Sequence, residues 1–300
     1  MPDTTEAKSG AASPATPADT IVRAAAPIRI RRPKIDLHAL STADFESLPR
    51  YWWGGSPFKT HFLNAFSSTL PFGEAFFVRS VRHYTGLVTE PALIEGIRGF
   101  AGQEGQHSRL HDDHVDLLVR QGYGALAKRN EIIDRILKWQ NKKAPRFSLA
   151  STSAIEHLTA ILARQVLKDP FGRVEEMHPD MARLWRWHAL EEAEHKAVAY
   201  DVMEVAKIPR WIRNVTMVLN TFGLALETWE RMIYMMWKDG RLFEVKTWMS
   251  GLGFLFGKDG FLRGTWSEYS AWYRADFHPN DIDDREIITQ LAPAITAEIA

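Results

Sequence analysis

From about residue 57 almost to the C-terminus, apolar residues recur at intervals of three and four, the spacing of one face of an α-helix. The pattern predicts helices over 58–86, 90–121, 125–141, 147–168, 180–206, 210–237, 240–256 and 260–274. Helix-stopping residues punctuate it: TEP at 89–91, KAPR at 143–146, HPD at 178–180, and KDG at 238–240 and 258–260. There is no alternating strand pattern, internal repeat or glycine-rich phosphate loop. The expected fold class is therefore all-α, an antiparallel four-helix bundle with additional C-terminal helices. Residues 1–27, rich in Ala, Pro, Thr and Ser, read as a disordered tail, and 28–56 as an extended lead-in. Its IRIRRPKIDL stretch (28–37) is expected to be a solvated arm. Residues 57–206 form the bundle and 207–300 a helical extension packed on it.

Polar residues interrupt four of the apolar stripes. In the second long helix Leu93, Ile97, Phe100, Glu104, His107, His111, His114 and Leu118 share a face that is apolar at both ends and ionisable in its middle. Leu184, His188, Glu192, His195, Ala199 and Val202 repeat the arrangement in 180–206. Glu74 stands among Leu70, Phe77 and Val81, and Glu156 among Leu149, Thr159 and Ala163. A buried unpaired carboxylate is costly and tends to take up a proton, and four converging ones also repel each other. Two divalent cations would offset both penalties. Glu and His three residues apart on a helix can reach one ion, and one Glu from each of two helices plus Glu-x-x-His from the other two is the ligand set of di-iron bundles. The expected metal ligands are therefore Glu74, Glu104, His107, Glu156, Glu192 and His195. Paired segments supply them 30 and 36 residues apart, a helix–turn–helix distance. The competing reading is a set of internal salt bridges to Arg79, Arg109 and Arg164. Glu175 and His178 also make a Glu-x-x-His pair, but against Pro179 and without an apolar stripe, so they are expected to bind nothing.

Composition narrows the chemistry. Basic and acidic residues balance at 37 each, which argues against a nucleic-acid partner. Without cysteine, thiolate metal sites, disulfides and Cys nucleophiles are excluded. Glu and His donors suit iron first, with manganese or zinc possible. The 11 Trp and 16 Phe point to an aromatic core or pocket. The N-terminus shows no secretory pattern and no apolar run is long enough to span a bilayer, so a cytoplasmic location is expected.

The stretches PFGEAFFVRSVR, QEGQHSRLH, ALEEAEHKAVAYDV and YRADFHPND resemble a bacterial family of predicted metal-dependent hydrolases, over roughly 55–280. The ligand pattern also resembles the ferritin-like di-iron carboxylate proteins, which implies a ferritin-like bundle and O2 as a co-substrate. His188, one turn before Glu192, is similar to the extra His ligand of the ferritin-like arylamine N-oxygenases. That resemblance adds His188 to the expected ligands, with His111 and His114 beside the metals as partners or pocket lining. The leading functional expectation is a di-iron or mixed di-metal oxidase or oxygenase acting on an apolar or aromatic small molecule, supplied by an electron-donor protein. The alternatives are two-metal hydrolysis and a non-enzymatic ferritin-like metal-binding protein. A homodimer is also expected, as is peripheral membrane contact through the apolar segment 215–237. His278 reads as a turn residue, and Asp201 as a cap or salt-bridge partner.

Overall fold

The computed structural model describes residues 28–37 and 48–300, so the expectation for 1–27 lies outside the described residues. The helices are α1 (Pro57–Ser67), α2 (Leu70–Arg82), α3 (Pro91–Arg120), α4 (Ala125–Lys143), α5 (Pro145–Lys168), α6 (Pro179–His195), α7 (Val198–Val205), α8 (Arg210–Lys238), α9 (Val245–Phe256), α10 (Trp266–Ala271) and α11 (Arg285–Glu298). Among the described residues there is no strand, only an isolated bridge between Trp53 and Met177. Pro57, Pro91, Pro145 and Pro179 each open a helix, where a missing N–H costs nothing. Side chains of Ser56, Glu90 and His178 cap the first turns of α1, α3 and α6.

α2, α3, α5 and α6 close a bundle: α2 packs on α3 and α5, and α6 packs on α5 and α3. α8 lies across α1 and α5, and α11 across α6 and α5. None of the described helices is long and apolar enough to cross a membrane. The outer side of α8 nonetheless exposes Trp211, Leu219, Phe222, Leu226 and Trp237.

Four sequence expectations need correction. The helix predicted over 58–86 is two, because Pro71 cannot donate the N–H that would bridge the turn at Ser68–Thr69. The one predicted over 180–206 breaks at Lys196–Ala197, where no Pro or Gly marks it; the Lys196 amine is drawn instead to Asp284 and the Ile282 carbonyl. In 260–274 only Trp266–Ala271 is α-helical, and α11 was not foreseen because Pro293 stands inside it. Residues 28–37 are not a solvated arm. Arg31, Pro33, Ile35 and Leu37 alternate inward and are buried. The segment crosses α3 so closely that a Cβ on Gly99 or Gly102 would come within 2.6 Å of Ile28 or 2.2 Å of Ile30.

Candidate metal centre

The four bundle helices bring all the expected ligands into one buried cluster. Glu74 (α2), Glu104 and His107 (α3), Glu156 (α5), and His188, Glu192 and His195 (α6) are each at most 3% exposed. Two subsets have donor atoms within 4.8 Å of one another: Glu74, His107 and His188, and Glu104, Glu192 and His195. Glu104 and Glu192 span both. Glu104 Oε1 lies 3.3 Å from His195 Nε2 while its Oε2 lies 3.8 Å from His107 Nδ1. Glu192 Oε1 is 3.4 Å from His188 Nε2, 3.6 Å from His195 Nε2 and 3.7 Å from His107 Nδ1. Glu156 joins through Oε2, 3.3 Å from His195 Nε2. The Thr159 hydroxyl donates to the other oxygen of Glu192. The rings of Trp187 and Phe100 stand edge-on to His107 and His195, at 4.8 and 5.1 Å.

Each histidine turns one nitrogen into the cluster and the other toward a buried polar group; for His188 and His195 that second contact is a hydrogen bond, the arrangement that fixes the orientation of a ligating imidazole. His107 Nε2 lies 3.1 Å from Glu191 Oε2, His195 Nδ1 is 2.9 Å from Gln103 Oε1, and His188 Nδ1 is 3.2 Å from His111 Nε2. His111 and His114 each hydrogen-bond the Ser67 hydroxyl through Nδ1, at 2.7 Å. His111 thus stands behind His188, whereas His114 has no such contact to a cluster residue. Arg31 ties the outer partners together. It contacts Glu191 at 3.3 Å and holds Glu194 with two hydrogen bonds of 2.7 and 2.9 Å. Glu194 in turn accepts from Gln103 at 2.8 Å. Sequence reading missed Glu191, Glu194, Gln103 and Arg31. The first three lie off the stripes that carry the expected ligands, and Arg31 lies in a segment without helical periodicity.

The salt-bridge alternative fails on geometry. Arg79 pairs with Asp134, Arg109 with Asp113, and Arg164 with Asp284 and Glu268; none reaches the four glutamates. Glu175 and His178 stay outside the cluster: Glu175 pairs with Arg186, and His178 caps α6. His278 bonds Asp201 at 2.8 Å.

Protons alone settle this cluster poorly. Burial, then the charge of Glu104, pushes Glu74 well above the usual carboxylate range and Glu156 to about 8. Burial opposes a charge on His107 and His195, but neighbouring carboxylates outweigh it, raising His107 to about 10 and His195 as well. Burial likewise opposes the charge of Glu192, yet His195, His188 and His107 hold its carboxyl below the usual range. Burial lowers His188 to about 3, helped by His107, and lowers His111 and, to about 4, His114. The decisive observation is the orphaned donors. Both oxygens of Glu74, Glu104 and Glu156, both nitrogens of His107, and the Nε2 atoms of His188 and His195 are buried without a hydrogen-bond partner. Buried polar atoms are normally satisfied. This set of carboxylate and imidazole donors, facing one another with no Lys or Arg paired to the four glutamates among the described residues, fits two divalent metal ions.

Comparison with known proteins places the chain. A family model described as "predicted metal-dependent hydrolase" matches residues 40–283, and the chain belongs to that family. No curated protein and no solved structure matches it.

Proposed function

With that family membership as the premise, we propose that the chain is a two-metal enzyme of the ferritin-like di-iron kind that oxidises an apolar small molecule with O2. Glu74, His107 and His188 would hold one ion and Glu104, Glu192 and His195 the other, with Glu156 beside His195. The observation that carries this is the set of orphaned donors at the centre of the bundle. Four carboxylates with three imidazoles make a hard, electron-rich set suited to iron or manganese. Such a metal pair supplies redox chemistry toward O2; insertion of one oxygen atom into a C–H bond also takes two electrons and two protons from an external donor, and the second oxygen leaves as water.

The protein's own residues supply orientation and exclusion. Gln103 and His111 hydrogen-bond the rings of His195 and His188 and so hold their orientation, and Glu191 faces the ring of His107 at 3.1 Å. The Thr159 hydroxyl occupies one oxygen of Glu192 and leaves the other for the cluster. Phe100 and Trp187 keep water from the histidines, which strengthens every electrostatic interaction inside.

The family description favours a second reading, two-metal hydrolysis, and backs it more directly than it backs oxidation. In that reading the same residues would hold a metal pair that supplies an activated water and charge stabilisation at the scissile group. Metal analysis of anaerobically purified protein, beside Glu104→Ala and Glu192→Ala, tests the shared premise. Two metals per chain are expected in wild type, falling toward zero in both variants; unchanged content in the variants ends it. Fe(II) loading followed by O2 then separates the reactions. Oxygen uptake coupled to substrate oxidation supports the first reading. No uptake, with zinc-dependent cleavage of an ester or phosphoester, supports the second. Mineral accumulation without turnover would make this a metal-storage protein.

A further inference from the structure

A cavity of about 540 Å3 lies between α1, α5, α8, α9 and α10, within the roughly 300–1,000 Å3 of small-molecule sites. No charged side chain lines it; its polar atoms come from Thr221, Thr228, Thr265 and Tyr269. Two of its walls, Phe256 and Trp266, are 65% and 73% exposed, so its mouth is at the surface. Phe62, Phe66 and Leu162 also line a second, mostly apolar void of about 30 Å3. The far wall of that void is His188 and Thr159. One is in the donor cluster; the other hydrogen-bonds Glu192. The two spaces adjoin at these three side chains, which stand between the surface chamber and the void beside His188.

We propose that this two-part cavity is the substrate site, and that its ligand is a neutral lipophilic molecule with an unbranched alkyl chain whose end reaches His188. The proposal rests on the enzymatic reading above and names its substrate class. The chemistry follows from the walls. A charged group would lose its water with nothing in the outer chamber to pair with. A ring or branched end does not fit a void with room for about one or two water-sized groups, whereas a methyl-terminated chain does. The long apolar part of the ligand fills the outer chamber. Its polar end remains near the threonines and Tyr269, which offer hydroxyls and no charge.

The test uses the full metal-free chain, so its failure is separate from failure of the metal reading. Tryptophan fluorescence follows binding of n-octanol, n-decanol, n-dodecanol and cyclododecanol. Affinity is expected to rise about fourfold per added methylene along the linear series. n-Dodecanol is expected to bind well above cyclododecanol. A Phe62→Ala variant, which widens the shared wall, should narrow that difference. ω-Bromododecanol tests the reach, because Trp185 borders the inner void and not the outer chamber. Its quenching of wild-type fluorescence should shrink in Trp185→Phe. Equal binding of the linear and cyclic alcohols, no dependence on chain length, or quenching indifferent to Trp185→Phe would each overturn the proposal, the last by placing the chain end outside the inner void.

Discussion

Replacing Arg31 with methionine probes the whole outer layer of the metal centre at once. Arg31 is the cation that Glu191 and Glu194 both face, and all three side chains are almost entirely buried. Methionine keeps much of the length and none of the charge. It leaves the buried Glu194 without its cation and Glu191 with His107 alone, a loss of about 3–5 kcal/mol when one partner of a buried pair is removed. With an unfolding entropy of about 2.1 cal/mol/K per residue over 300 residues, the melting temperature should fall by about 5–8 °C. The same change should loosen the cluster. Glu191 faces His107, and Glu194 holds the Gln103 that bonds His195, so both rings lose their fixed orientation. Loss of such outer partners typically weakens metal binding about 10–100-fold; Arg31 is one contact further out, so about tenfold is expected. Calorimetry of the metal-free chain gives the first number, and competition with a chromophoric chelator for Mn(II) gives the second. Adding Glu194→Gln removes one of the stranded charges and should restore part of the lost stability. An Arg31→Met protein that melts within about 1 °C of wild type and binds Mn(II) equally well would refute this account of the network.

Two further predictions concern other parts of the fold. Asp239, where α8 ends, is buried, which alone would raise its pKa; hydrogen bonds from His61, Tyr123 and Tyr51 outweigh that and hold it at about 2, below its ordinary 3.8. A depressed carboxyl stabilises the fold above its unfolded pKa, so about 2 kcal/mol should be lost as the pH falls from about 4 to about 2. In Asp239→Asn, urea midpoints should be lower near neutrality and fall less steeply through that window; parallel curves would count against it. Gly105 and Gly251 should respond in opposite senses to alanine. Gly105 is exposed within α3 and a Cβ there meets nothing within 4 Å, so the helix gains about 0.5–1 kcal/mol. A Cβ on Gly251 would come within 2.0 Å of the fully buried Phe58 ring and cost about 1–3 kcal/mol, with thermal melts reading both.

Much of the centre is legible in the sequence because a helix converts spacing into position. Glu104 with His107, and His188 with Glu192 and His195, recur at three and four residues, so each set had to share one face. Apolar neighbours on the same stripes pointed those faces inward, and burial of every expected ligand agrees. The alternating burial of 28–37 was harder to foresee. Arg31 carries a charge that looks solvent-facing in isolation and is buried only because Glu191 and Glu194 meet it from a helix some 160 residues away. The break after His195 was equally hidden, since no Pro or Gly marks it.

Read alone, then, the amino-acid order determined the all-α class, most helix positions and the residues able to ligate metal, because these depend on periodicity within single segments. Tertiary structure decided which carboxylates span both groups of donors, which polar group each imidazole faces at its second nitrogen, and which apolar side chains stand between the surface cavity and His188. Those features depend on distances between side chains from different helices. No local pattern encodes them, because they arise only when packing brings distant segments into contact.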